Sequence, residues 1–185
     1  MNKKGFTLIE ILVVSGLSIV LILTATSLFA TFMASSSQTR IQQQLKQEGS
    51  QALSQMEYLL RNAKTISTNM AGQVCQENMS SLGFESFAGG KGILYQDGAR
   101  IASDSAVLGQ EGSTTKTYFL TSQQVVIPED SSLEFDCYSS PGTESQSYFI
   151  NISFSLANDT ETSLLNRSMT QDYSRGVQLR NLTQN

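Results

Sequence analysis

The chain has no histidine, no tryptophan, only two prolines and two cysteines, and charged residues at just 15% of its 185 positions. Without histidine the commonest general base and metal ligand is missing, so a serine triad would lack its base. Two cysteines with no histidine cannot build a structural zinc site. Gly89-Gly90-Lys91-Gly92 lacks the spacing and the terminal Lys-Ser/Thr pair of a phosphate loop. Asn158-Asp159-Thr160-Glu161 and Glu129-Asp130 offer oxygen ligands, but neither fits the EF-hand calcium loop. The expectation is a non-enzymatic protein with no cofactor and no metal. Lys and Arg number 12 against 16 Asp and Glu, a formal charge of -4 with no basic stripe, so nucleic acid is not an expected partner.

Serine, threonine, glutamine and asparagine fill the places that charge leaves empty, a composition common in exported surface proteins. Five Asn-x-Ser/Thr sequons, beginning at Asn78, Asn151, Asn158, Asn166 and Asn181, are what chance gives in such a chain.

The N-terminus is different. No charged residue occurs from Ile11 to Thr39, and Ile11 to Met33 is a 23-residue run of mostly Ile, Leu, Val, Phe and Ala. At about 1.5 Å per residue it is long enough to cross a hydrocarbon core of ~30 Å. Lys3 and Lys4 precede it, and the positive-inside rule keeps them cytoplasmic and the rest of the chain outside. A cleavable secretory signal is the rival reading, with Ala34-Ser35-Ser36 as a weak cleavage site. Such a signal has an apolar region of roughly 7–15 residues; this run is longer and carries Glu10 at its start. An ordinary single-pass anchor is a further alternative.

A carboxylate near the head of a membrane helix costs on the order of 2–3 kcal/mol by insertion scales, and such residues are usually functional and partnered. Glu10 at headgroup level, solvated and favoured by the helix dipole, is the bland reading. Spacing does not choose between the two.

The residues around it do. Lys3-Lys4-Gly5-Phe6-Thr7-Leu8-Ile9-Glu10 resembles the prepilin peptidase site of type IV pilins and type II secretion pseudopilins. The resemblance implies cleavage after Gly5, a new and usually N-methylated N-terminus at Phe6, and an assembly role for Glu10 as the acid five places into the mature chain. It also implies the partners: prepilin peptidase, an inner-membrane assembly platform, membrane lipid, and other pilin subunits in a helical filament, extracellular or periplasmic. Loss of Lys3 and Lys4 would take the formal charge from -4 to -6. Major pilins commonly carry Pro and Gly in this helix; here there is Gly16 but no proline before Pro128, which favours a minor component.

After the span, Ile41, Leu45, Ala52, Met56, Leu59, Leu60 and Ala63 mark one helical face, with Gly49 also on it. The helix from Phe6 to about Lys64 would reach ~90 Å. Met56 to Ala63 also resembles, weakly, minor pilins and pseudopilins of the W or J type. Beyond Ile66 the period changes. Ile93 to Gln96 and Ala99 to Ile101 read as a hairpin turning at Asp97-Gly98, and Lys116 to Leu120 with Gln123 to Ile127 as a second pair. Leu133 to Tyr138 alternates, as do Tyr148, Ile150, Ile152, Phe154 and Leu156; Val177 to Arg180 is a last strand, and the polar Ala157 to Asp172 reads as a mobile loop.

The expected organisation is a leader at 1–5, a membrane or filament-core helix at 6–34, an amphipathic helix at 35–66 and a β-rich domain at 67–185. The fold class is α+β: a long N-terminal helix whose amphipathic half packs on an antiparallel sheet, as the pilin resemblance also implies. Cys75 and Cys137, 62 residues apart, would be unrelated thiols in a reducing compartment; export favours one disulfide, worth about 4 kcal/mol in the chain-entropy model.

Overall fold

The sequence period changes once, and the fold changes with it. In the computed structural model, which describes residues 7–87, 90–105, 116–140, 147–158 and 169–179, a single helix, α1 (Leu8–Arg61), is followed by nine strands. Two compact units divide the chain at Gln42, the first holding α1 up to that residue and the second everything after it.

From Leu8 to Ser36 α1 is exposed on all sides, and its 18-residue window of highest mean hydropathy, 2.5, is long and apolar enough to cross a membrane. The apolar stretch from Leu8 to Met33 carries six hydroxyls, and each is satisfied locally. Ser15, Ser18, Thr24, Thr26, Ser27 and Thr31 donate to carbonyls three or four residues back, at 2.8–3.0 Å. Apolar surroundings demand such internal pairing.

In the second unit the last five turns of α1 bury Leu45, Gly49, Ala52, Leu53, Met56 and Leu60. Ile41 and Leu59, expected on the buried face, are half-buried, whereas Leu53 belongs to it. The helix ends at Arg61, short of the expected residue 66. Asn62 closes it, its backbone N–H and side-chain amide both donating to the Tyr58 carbonyl. Thr65 and Ile66 are β-branched and better suited to a strand, and Ala63–Ser67 is one, β1, with Ala63 and Ile66 buried.

Two antiparallel sheets replace the single sheet expected. The first has the order β1, β2 (Ser81–Ser86), β3 (Lys91–Asp97), β4 (Arg100–Ser105), β5 (Lys116–Phe119). The second is built on β8 (Ser147–Asn158), with β9 (Thr170–Gln178) along one side and β7 (Glu134–Ser140) then β6 (Val125–Val126) along the other. Tyr148, Ile150, Ile152, Phe154 and Leu156 of β8 all face the core, the alternation read from the sequence. The result is an α+β fold, a long N-terminal apolar helix with antiparallel sheets, consistent with a pilin-like arrangement.

The structure differs from three further expectations. The expected pair Lys116–Leu120 and Gln123–Ile127 does not form: β5 joins β4 in the first sheet and β6 joins β8 in the second. The intervening Thr121–Gln124 has no Gly or Asn to reverse the chain; buried Thr121 instead accepts the Ile101 N–H, and the chain crosses between sheets. The β3–β4 turn centres on Gly98-Ala99, with Asp97 paired to Arg100. Gly98 has φ +59° at the first central position, as a type II′ turn requires. Within the expected loop 157–172, residues 157–158 finish β8 and 170–172 begin β9, while 159–168 lie outside the described residues; so does Arg180.

Candidate functional site

Thr7 caps α1. The Glu10 N–H donates to the Thr7 carbonyl at 3.1 Å and lies 3.4 Å from its Oγ1, and the Ile11 N–H donates to the same carbonyl. Thr-x-x-Glu is capping-box spacing, and an acid in the first turn complements the helix dipole. Glu10 is exposed and makes no ion pair within the described residues. It is the only charge between Thr7 and Thr39. Its neighbours Leu8, Ile9 and Ile11 are 81, 71 and 61% exposed, so no described residue covers them. Gly5 and Phe6, with Lys3 and Lys4, lie outside the described residues.

Cys75 and Cys137 are joined by a disulfide, with Cα atoms 5.0 Å apart. Cys75 sits on the connector between β1 and β2, and Cys137 on β7, so the bond ties one sheet's connector to a strand of the other sheet. Backbone pairing reinforces it. Met79 exchanges two hydrogen bonds with Phe135, the Cys137 N–H donates to the Gln76 carbonyl, and the Asn78 N–H donates to Asp136 Oδ1. Asn78 adopts φ +56°, a conformation asparagine tolerates better than most residues. Asn69 organises the start of the same connector: its Oδ1 accepts from Ala71 and Gln73, and its Nδ2 donates to the Ser81 carbonyl. This asparagine is buried, and no periodicity in the sequence singles it out.

The second half of α1 is clamped from both flanks. On one, Tyr173 of β9 donates to the Leu45 carbonyl, and Arg175 pairs with Glu57 at 2.6 Å. On the other, Glu48 accepts the Ser122 N–H and Gln44 donates to Gln124. Between this second flank and β4–β5 lies a groove of about 520 Å³ lined by Gln51, Ser54, Tyr58, Leu59, Ser103, Tyr118 and Leu120 among others. Tyr58 and Tyr118 are 69 and 51% exposed. Sequence reading missed the groove, since its walls come from segments that pair only in the fold.

Three phenols titrate above their ordinary range. Burial raises Tyr173. Burial first, then hydrogen bonding and charge from Asp104, raises Tyr95, against an opposing bond from Thr117. Tyr138 is raised by local desolvation and by Glu77 and Asp136. Among the described residues no three His, Cys, Asp or Glu side chains converge to hold a metal.

No protein-family model, curated protein or solved structure matches this chain. The functional reading therefore rests on its own residues.

Proposed function

We propose that this chain is a structural subunit, a minor pilin or pseudopilin, of a type IV pilus or type II secretion-like filament. Prepilin peptidase cuts after Gly5, Phe6 becomes the N-methylated terminus, and the apolar helix holds the subunit in the inner membrane until assembly. In the filament the helices bundle in the core and the β-rich units face solvent. The observation that carries the reading is Glu10: a lone carboxylate in a 33-residue stretch from Thr7 to Thr39, one turn into a helix whose apolar residues from Leu8 to Met33 no described residue covers. Cleavage would create a cation at Phe6 that must enter an apolar bundle. An unpaired buried charge is costly, and a neighbouring subunit's Glu10 is its natural counterion. The work of the protein is then assembly, not catalysis.

A second reading is a single-pass envelope protein with an exported binding or sensing domain. Its supporting observation is the Thr7–Glu10 cap, which accounts for the acid locally. Mass analysis of the N-terminus of the membrane-extracted protein separates the two. N-methyl-Phe6 is expected for the pilin subunit; an intact Met1, or a cut after Ala34, overturns it.

A further inference from the structure

The sheet built on β8 has two faces, and the register tells them apart. Ile150, Ile152 and Phe154 of β8 are buried, and their partners on β9 are Val177, Arg175 and Tyr173. Tyr173 and Arg175 both bond to α1, so this is the face that covers the helix. Side chains alternate along a strand, which puts Asp136, Tyr138, Phe149 and Asn151 on the opposite face.

That opposite face carries an aromatic pair. Tyr138 and Phe149 are neighbours across the ladder, with ring centroids 6.4 Å apart, and are 46 and 47% exposed. Phe149 extends over Gly176, where a Cβ would collide with its ring, so the ring rests against the sheet instead of standing clear of it. Glu77 and Asp136 bring two carboxylates beside the Tyr138 phenol, and neither has a cation within ion-pair distance among the described residues. Ring quadrupoles and carboxylates attract the same partner, a cation, and guanidinium is the cation that aromatic faces take most often. The chain shows that preference elsewhere: the Arg100 guanidinium sits 3.5 Å from the centroid of the Phe119 ring.

The complement stands at the margin of the helix face. Arg61 at the end of α1 and Arg175 of β9 share one carboxylate, Glu57, at 2.7 and 2.6 Å. Two guanidiniums against one carboxylate leave a positive charge in excess, and their side chains are 57 and 41% exposed. Each guanidinium carries five donors, of which a single shared carboxylate engages only part.

We infer that these two patches bind each other between copies of the chain: the arginines of one second unit dock on the Tyr138–Phe149 face of the next, with Glu77 and Asp136 as counterions. The patches belong to opposite faces of one sheet, so the contact is heterologous. Each copy offers its arginines to one neighbour and its aromatic face to another, and both ends of the chain of copies stay open. The inference needs only the second unit; for a filament subunit it supplies the contact between neighbouring β-rich units.

Sedimentation velocity of the full chain in detergent micelles tests it, with Glu10→Gln in every sample so that pairing at the N-terminal helix does not contribute. This chain should associate into an open series of dimers, trimers and larger species below about 1 mM. Raising salt from roughly 0.05 to 0.5 M should weaken the association, since exposed charges are screened. Adding Arg61→Glu with Arg175→Gln should weaken it roughly tenfold or more, as loss of a charged contact implies, and so should Glu77→Arg with Phe149→Ser. The decisive sample mixes the two variants in equal amounts. Each keeps the patch that the other lacks, so the mixture should form dimers and stop there. Unchanged unfolding midpoints establish that both variants fold; if the arginine pair misfolds, Arg61→Glu alone, on the exposed helix end, takes its place. A chain that stays monomeric, association indifferent to salt or to both variants, or a mixture that behaves as its separate parts or grows past dimers would overturn the inference. Filament incorporation of Glu10→Gln is read separately, so the two proposals fail independently.

Discussion

The phenol of Tyr173 donates a 2.6 Å hydrogen bond to the backbone carbonyl of Leu45, 128 residues earlier, and its ring lies over Gly49 one helical turn on. A carbonyl already engaged in a helix accepts a second donor here, and the close approach requires position 49 to lack a side chain. Phe154 stacks on the other side of the ring at 5.3 Å. The tyrosine is held between helix and sheet.

Gly49→Ala should therefore destabilise the protein. A Cβ at 49 would overlap the Tyr173 ring, which Phe154 prevents from withdrawing. Overpacking of this kind costs about 1–3 kcal/mol, against a helix-propensity gain of up to ~1 kcal/mol. A lower midpoint in thermal or urea unfolding is expected, and an unchanged or raised midpoint would contradict the packing described.

The same tyrosine gives a pH dependence. Burial favours the neutral phenol, so the folded value lies above the unfolded one of about 10. Stability from this source is complete below pH ~10 and fades as pH rises through the higher folded value. Denaturant midpoints should hold steady from neutral to mildly alkaline pH and then fall. Tyr173→Phe should start lower, by about 1 kcal/mol for the lost hydrogen bond, and fall less steeply in alkali. Tyr95 and Tyr138 shift in the same direction and leave a residual slope.

Replacing both Cys75 and Cys137 by serine should lower stability by about 2–4 kcal/mol. Thiol titration of the unfolded, unreduced wild type should find no free thiol, since no cysteine in the structure is free. Two titratable thiols would exclude the bond.

Glu10→Gln should leave the protein in the membrane and leave the second unit's unfolding midpoint unchanged, because Glu10 bonds no described residue there. Its incorporation into filaments should drop severely. Immunoblotting of sheared filaments against membrane fractions reads both quantities, and undiminished incorporation would remove the proposed pairing with Phe6.

What the sequence disclosed followed from periodicity. Five apolar residues from Tyr148 to Leu156 at a spacing of two dictate a core-facing strand, and β8 is the centre of its sheet. The uncharged run to Thr39 dictates a helix long and apolar enough to cross a membrane. Pairing was less legible. Lys116 to Leu120 and Gln123 to Ile127 look like neighbours along the chain, yet each finds its partner elsewhere, which local pattern does not encode. Leu53 was overlooked because the spacing through Ala52 and Met56 is complete without it. Tyr173 lies in a polar stretch, and nothing local marks it as the contact that fixes the helix. The groove was invisible for the same reason: Ser54 and Ser103 meet only through packing.

The two sheets also occupy separate stretches of the chain, residues 63–119 and 125–178. A polypeptide emerging N-terminus first presents every strand of the first sheet before any of the second, and most of those strands join neighbours in sequence, an arrangement that forms rapidly. Cys75 waits 62 residues for its partner. The first sheet can thus be complete while Cys75 still carries a free thiol, and closure of the bond records the arrival of β7, a covalent timestamp on the order in which the domain is put together.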